Sequence, residues 1–200
     1  MRVSILGSMT VAAAAIAMSS CTDSRGLVTP SNPGSTRLIA GPTRMDVVTR
    51  DVPLTAPVSA SAQIGVLGGQ IAIPEVGLTV TVPAFAVTAT TTITVTAVPG
   101  SLIAYEFEPH GLTFKAPLAV TQSLAATSAD KNGLVPGVLY GGYFPDASSL
   151  DQIGGTAAVD EILRVSIDRF LGQATFSVLH FSGYLLATGE SSPGDGGGLH

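Results

Sequence analysis

The chain has 200 residues, of which 46% are hydrophobic and 12% charged, with a single cysteine and no tryptophan. The charged fraction is about half the usual ~25%, which excludes a charge-driven disordered protein. Nine Lys and Arg residues against fourteen Asp and Glu residues give a net charge of −5. No basic block is present to bind phosphates, so no nucleic-acid partner is expected. A single cysteine excludes an intramolecular disulfide and a cysteine-based zinc cluster.

Residues 1–20 have the organisation of a secretory signal peptide. Arg2 supplies an early positive charge, Val3 to Met18 is almost wholly apolar or small, and two serines precede Cys21. An apolar stretch of under about 18 residues is too short for a stable membrane-spanning helix, which needs about 20. The pattern predicts a protein that leaves the cytoplasm.

Met18-Ser19-Ser20-Cys21 resembles the lipobox of bacterial lipoproteins, with methionine at a position where leucine is usual. The resemblance implies that Cys21 becomes the acylated first residue, which would hold the protein on a membrane surface of the cell envelope. The alternative is an ordinary cleavage site followed by a free or buried thiol. Because an exposed, unpaired thiol is a liability in an oxidising compartment, the sequence favours lipidation of Cys21.

The residues that follow the signal have the composition of a linker. Residues 21–61 contain five prolines among Ser, Thr, Gly and Asn and show no sustained periodicity, which predicts an extended, disordered tether. Arg37–Ala40 and Met45–Val48 are the two stretches that offer short strands as an alternative. Residues 189–200 are rich in glycine and predict a flexible tail.

Residues 62–188 carry a series of short strand patterns separated by Gly and Pro. Leu78, Val80 and Val82 alternate with threonines, and the segment from Leu102 to Phe107 puts every second large side chain inward. We therefore predict an all-β protein with a single antiparallel β-sandwich. The predicted strands are 63–67, 70–73, 77–82, 92–97, 102–107, 118–124, 138–144, 161–167 and 174–187.

Four segments resemble ZU5 domains, in the order and with the spacing of that family. They are Gly68–Pro74 (GGQIAIP), Gly77–Pro83 (GLTVTVP), Glu108–Pro117 (EPHGLTFKAP) and His180–Tyr184 (HFSGY). The resemblance covers roughly residues 62–188, and Phe85 departs from it by replacing a glycine that usually follows the second proline.

The resemblance implies a β-sandwich that mediates protein contacts, here a binding or structural module at the cell envelope. Its expected partners are the membrane, through Cys21, and an envelope or extracellular protein of unknown identity. No cofactor is expected. The signature residues also have a structural interpretation: Gly68, Gly69 and Gly77 suit tight turns, and His110 is expected to hydrogen-bond the backbone in a turn.

His180-Phe181-Ser182 offers a second function, because in some ZU5-containing scaffolds His-Phe-Ser is a self-cleavage site. Residues two apart in a strand share a face, so His180 would take the proton from the Ser182 hydroxyl. The serine oxygen would then attack the Phe181 carbonyl carbon, and water would hydrolyse the resulting ester. The alternative is that His180 and Ser182 close the last strand while Phe181 fills the core.

Other candidate groups have weaker patterns. The three histidines lack metal-ligand spacing, and Glu106 and Glu108 share a strand face that suits solvent. A carbohydrate-active enzyme would need two carboxylates across a groove, which sequence does not reveal. Asp160 and Glu161 are expected to be charged residues of a solvent-exposed loop. The aromatics Tyr140, Tyr143 and Phe144 suit a binding face or, more often, a core.

Overall fold

The computed structural model describes residues 41–133 and 137–191. Within these ranges the protein is all-β, with antiparallel sheets, three short 3₁₀ turns and no α-helix, as the sequence predicts. No helix in the described part is long and apolar enough to cross a membrane. The predictions for the signal peptide, Cys21, the tether up to residue 40 and the tail from residue 192 lie outside the described residues.

The described ranges contain sixteen strands. In chain order they are β1 (Thr43–Val47), β2 (Thr49–Leu54), β3 (Val58–Ile64), β4 (Gly69–Ile73), β5 (Leu78–Val82), β6 (Thr91–Ala97), β7 (Gly100–Leu102), β8 (Ala104–Glu108), β9 (Thr113–Ser123), β10 (Tyr140–Phe144), β11 (Leu150–Asp151), β12 (Thr156–Val159), β13 (Glu161–Arg164), β14 (Ser166–Asp168), β15 (Gln173–His180) and β16 (Gly183–Glu190).

Two sheets and one separate strand pair contain these strands. Among the described residues, one sheet has five strands in the order β14-β15-β9-β5-β4. The other has nine strands, seven of them in the order β11-β12-β1-β16-β8-β6-β3, while β10 pairs with β16 and β13 pairs with β10. β2 and β7 form the separate pair. The arrangement is sandwich-like.

The alternation of apolar and hydroxyl side chains explains why these segments are strands. In β5, Leu78, Val80 and Val82 are buried while the threonines between them are more exposed. On the outer face of β3 and β6, hydroxyl groups pair across the strands, with 2.7 Å between Ser61 Oγ and Thr94 Oγ1. β-branched residues fit a pleated, half-buried surface, so the Thr-rich strands need few charges to stay soluble.

The main core lies between the two sheets. It contains aromatic side chains from the four strands β8, β9, β15 and β16 and from the crossover between the sheets. Phe181 packs 4.6 Å from Phe114 and 5.2 Å from Phe107, measured between ring centroids, and Tyr184 meets Phe107 edge-on at 5.6 Å. Aromatic pairs at these distances add to the stabilisation that area burial provides.

The nine-stranded sheet is also buried on its second face, which the sequence analysis did not predict. Leu102 and Ala104, which alternate with the inward-facing Ile103 and Tyr105, are fully buried in a second apolar cluster. Met45, Phe144 and Leu185 belong to the same cluster. A prediction from strand periodicity misses this burial, because it assumes that one face of the sheet packs on the core and that the other faces solvent.

The ordered domain begins earlier than the sequence predicted. Strands β1 and β2 and most of β3 lie within 43–61, a range assigned to the tether. β1 is an interior strand that pairs with β12 on one side and β16 on the other, and it buries Met45 and Val47. The alternative of a docked strand at Met45–Val48 is therefore correct, and the tether prediction is wrong for this segment.

The strand predicted over 174–187 is two strands. β15 belongs to the five-stranded sheet and β16 to the nine-stranded sheet, so the chain crosses the sandwich at Phe181 and Ser182. Gly183 permits the crossover, because a Cβ there would lie 2.2 Å from the buried Phe144 ring. The segment 161–167 is likewise divided into β13 and β14.

The register defines two ends of the sandwich. Gln173 of β15 lies opposite Ser123 and His180 lies opposite Thr113, and we name the two ends after Gln173 and His180. β16 starts three residues after His180 and ends at Glu190, which lies opposite Met45 of β1. The described chain therefore begins near the Gln173 end.

Candidate functional site

An exposed apolar cluster lies at the His180 end of the sandwich. It consists of Val66 and Leu67, in the turn between β3 and β4, and Phe85, in the loop after β5, and we call it the apolar tip. These side chains are 42%, 89% and 68% exposed. The Phe85 amide donates a hydrogen bond of 2.7 Å to the Val66 carbonyl, which holds the two loops together.

The backbone of Phe85 is in the left-handed region, with φ of 65°. A bulky residue in that region costs roughly 1–2 kcal/mol relative to ordinary backbone. In the ZU5 pattern that the sequence resembles, this position is expected to be glycine, the residue that tolerates this conformation. The chain therefore keeps an exposed phenylalanine where a glycine would fit better.

Gly68 fixes the shape of the apolar tip. Its φ is 74°, and a Cβ at this position would lie 2.2 Å from the Val82 carbonyl oxygen and 2.7 Å from the backbone of Pro83. Only glycine lets the β3–β4 turn approach the end of β5 so closely. The glycine predicted for a tight turn thus brings Leu67 beside the loop that carries Phe85.

His180 lies at the edge of an aromatic cluster and is partly exposed. Its Nδ1 is 3.1 Å from the Tyr184 hydroxyl, its Nε2 is 3.7 Å from a carboxylate oxygen of Glu161, and its ring meets Tyr143 edge-on at 5.1 Å. The Tyr184 hydroxyl donates a 2.6 Å hydrogen bond to the His180 carbonyl. His180 is therefore held by Tyr184 and its neighbours.

Ser182 is buried, and its hydroxyl points toward backbone carbonyls and not toward His180. Its hydroxyl lies 3.4 Å from each of the carbonyl oxygens of Phe144 and Pro145. Among the described residues no hydrogen bond joins Ser182 to His180, because the crossover between the sheets separates the faces that a continuous strand would share. The Phe181 carbonyl accepts a 3.0 Å hydrogen bond from the Gly111 amide. Phe181 fills the core, as the structural interpretation expected.

Tyr184 does not replace Ser182 as a nucleophile. Burial raises the pKa of its hydroxyl, and the charges of Glu161 and Tyr143 raise that pKa further. A phenol with a raised pKa stays protonated at neutral pH, and its proton is already donated to a backbone carbonyl. The contacts of His180 with Tyr184 and Glu161 therefore hold the chain in place at the crossover between the sheets.

The remaining predicted residues are dispersed. His110 is exposed, and its side chain makes no hydrogen bond within the described ranges, unlike the prediction. Glu108 is exposed and Glu106 partly so, as a solvated face requires. Phe144 is buried and Tyr143 packs against the core, whereas Tyr140 is 36% exposed. No group of three or more metal-ligating side chains occurs in the part of the chain described.

Arg50 is a buried cation that the sequence analysis missed, because it lay in the expected tether. It is 8% exposed, its Nη1 donates to the Leu102 carbonyl, and its guanidinium carbon lies 5.6 Å from the centre of the Tyr105 ring. Tyr105 donates to the side-chain oxygen of Gln122. Burial raises the pKa of Tyr105 to about 12, although the Arg50 charge opposes the shift.

Comparison with known proteins does not identify a family for this chain. No protein-family model matches the chain, and the search of curated proteins finds no match either.

Proposed function

We propose that this protein is a membrane-anchored, extracytoplasmic interaction module with a ZU5-like sandwich, and that it acts by binding an envelope protein, without catalysis. The observation that carries the proposal is the apolar tip. Three large apolar side chains are exposed together, and one of them is kept at a cost in backbone energy. Strain that persists in an exposed loop points to a functional site, and exposed apolar groups that cluster mark interaction surfaces.

The left-handed backbone at three motif positions supports the ZU5 part of the proposal. Gly68 and Gly77 have φ of 74° and 68°, and Phe85, at the family's usual glycine position, has 65°. Gly68 and Gly77, which belong to the motifs, thus occupy turns whose geometry favours glycine, and Phe85 has the backbone conformation of the glycine that it replaces. The family's role in protein contacts then supports a binding function, with the partner set by this chain's own surface.

The placement of the apolar tip suits a tethered protein. The described chain begins near the Gln173 end, whereas the tip lies at the His180 end. The part of the chain that precedes β1 therefore enters the fold at the end opposite to the tip, which leaves the tip open to a partner.

Chemical cross-linking in native membranes tests the proposal. Cross-linked envelope proteins are quantified by mass spectrometry for the unaltered chain, for Leu67→Ser and for Phe85→Ser. Removal of a hot-spot residue costs about 2 kcal/mol or more, so we expect the recovery of at least one envelope protein to fall at least about tenfold in both variants.

Phe170→Ser and Ile153→Ser are the matched controls. Phe170 and Ile153 are 96% and 102% exposed, and Phe170 lies in the turn before β15, at the Gln173 end. Both controls should keep the partner. An equal loss in controls and tip variants, or unchanged recovery in the tip variants, would refute a binding function for the apolar tip.

A further inference from the structure

Arg50 has two donor groups without partners. Its Nε and Nη2 are buried and make no hydrogen bond within the described residues, while Nη1 is used by the Leu102 carbonyl. No Asp or Glu in the described ranges forms an ion pair with it. A buried charge that lacks a counter-charge is costly, so such a group calls for an explanation.

The neighbouring polar groups do not supply the missing counter-charge. The Tyr105 hydroxyl donates its proton to Gln122, and the Gln122 amide nitrogen donates to the carbonyls of Val76, at 2.9 Å, and Ser123, at 2.7 Å. The Tyr105 hydroxyl oxygen can still accept a hydrogen bond from Arg50, but Tyr105 and Gln122 are both neutral. The Tyr105 ring face attracts the guanidinium, but a ring face does not replace an anion.

A cavity of about 300 Å³ lies beside this guanidinium, and Arg50 forms part of its wall. Its other walls come from β2, from the 3₁₀ turn Pro74–Val76 and from the loop that follows β9. The lining combines polar groups with apolar side chains, and Val52, Leu54 and Ile103 are among the apolar ones. The cavity is at the Gln173 end, away from the apolar tip.

We infer that this cavity binds a small aliphatic monocarboxylate, with Arg50 as its counter-charge. Nε and Nη2 form one edge of the guanidinium plane, and two parallel N–H groups on one edge match the two oxygens of a carboxylate. The apolar walls suit an aliphatic body. Glu75 also lines the cavity; its negative charge opposes any anion there, and it opposes a ligand with two anionic groups more strongly than a monocarboxylate.

Binding requires a small movement of Arg50. Nε and Nη2 each have less than 1 Å² of accessible surface, so a ligand in the cavity meets them only after the guanidinium turns toward it. That rotation exchanges the contact with the Leu102 carbonyl for two charge-assisted hydrogen bonds. The Nε resonance of Arg50 therefore reports directly on occupancy.

The test is a titration of the full-length protein with hexanoate, followed by the ¹⁵N-detected Arg Nε signals. We expect a saturable shift of the Arg50 signal with a Kd on the order of 1 mM or tighter. Hexanamide, which has the same chain but no charge, and inorganic phosphate should bind at least about tenfold more weakly. Equal binding of hexanamide or phosphate, or no saturation by hexanoate, would overturn the inference.

Two variants test the role of Arg50. Arg50→Lys keeps the charge but loses the bidentate edge, and a calorimetric titration should show affinity for hexanoate at least about tenfold lower. Ala125→Trp keeps Arg50 and narrows the cavity, so it should weaken binding even if Arg50→Lys fails to fold. Arg169→Lys, at an exposed arginine, is the control. Unchanged affinity in Ala125→Trp, or in a folded Arg50→Lys, would rule the site out.

Discussion

The unfavourable backbone energy of Phe85 is a single-residue feature that points to a functional site. Its φ of 65° is suited to glycine, and its ring is 68% exposed, so packing recovers little of the backbone strain. Sequence comparison with the ZU5 pattern identified this position as a departure. Only the backbone angle shows that the departure is energetically unfavourable.

The strain at Phe85 predicts an inverted order of stability in a pair of substitutions. At ordinary backbone angles, alanine is favoured over glycine by roughly 0.5–1 kcal/mol because glycine loses more entropy on folding. In the left-handed region the penalty on Cβ outweighs that term, so Phe85→Gly should be more stable than Phe85→Ala by about 1 kcal/mol. Urea unfolding followed by circular dichroism measures the difference.

Leu67 provides the comparison for this pair. It is 89% exposed and does not have a positive φ. There the ordinary order should hold, with Leu67→Ala more stable than Leu67→Gly. If alanine were also favoured at position 85, the left-handed backbone would not be a source of strain.

Other residues show where sequence reasoning works and where it stops. The turn role of Gly68 and Gly77 was predicted, because a positive φ is a local property that glycine favours. The same prediction was wrong for Gly69, which has no positive φ and begins β4. Arg50 was not predicted, because its burial depends on Leu102, Tyr105 and residues about 70 positions away. A lone arginine in a proline-containing segment gives no local sign of burial.

At the scale of elements, β1 differs most from the expectation. Its five residues alternate only weakly, and Pro42 and Pro53 flank its neighbourhood, so local pattern favoured a tether. The strand forms because β12 and β16 present unpaired backbone groups on both sides of it. Pairing on two sides and burial of Met45 outweigh a weak intrinsic preference.

A substitution in β1 distinguishes an interior strand from a tether. Met45 is 1% exposed within the second apolar cluster, so Met45→Ala should lower the free energy of unfolding by about 2–5 kcal/mol. The control is Val52→Ala, in the same predicted tether but 77% exposed, with an expected loss of less than about 1 kcal/mol. Tyrosine fluorescence in urea reports both, since the chain has no tryptophan. Equal small effects would be the result expected of a tether.

The break between β15 and β16 changes the geometry that was expected for His180-Phe181-Ser182. A continuous strand would bring His180 and Ser182 to one face, and the self-cleavage hypothesis depended on that geometry. In the folded protein His180 ends β15 of the five-stranded sheet, whereas Ser182 directly precedes β16 of the nine-stranded sheet. The two side chains therefore contact different partners. Strand periodicity does not detect such a crossover, because it predicts a strand on both sides of it.

At the scale of the whole molecule, the anchor is the testable expectation. Lipidation of Cys21 predicts incorporation of a labelled fatty acid and recovery of the protein with membranes. Cys21→Ser should abolish both, because the acyl chains have no other attachment point in a chain with a single cysteine. Label that persists in Cys21→Ser would show that the anchor does not depend on this residue. Ser20→Ala, which keeps a small residue before the cysteine, is the control that should retain the label.

The sequence by itself determined the all-β class, the alternation of β5 and β6 and the glycines of the tight turns, because these depend on a few adjacent residues. The tertiary structure decided the rest. It showed that β1 is an interior strand, that the chain crosses between sheets after His180, and that Arg50 is buried beside a cavity. Each of these follows from pairing and packing between segments distant in the chain, and local periodicity carries no information about which distant segment a strand will meet.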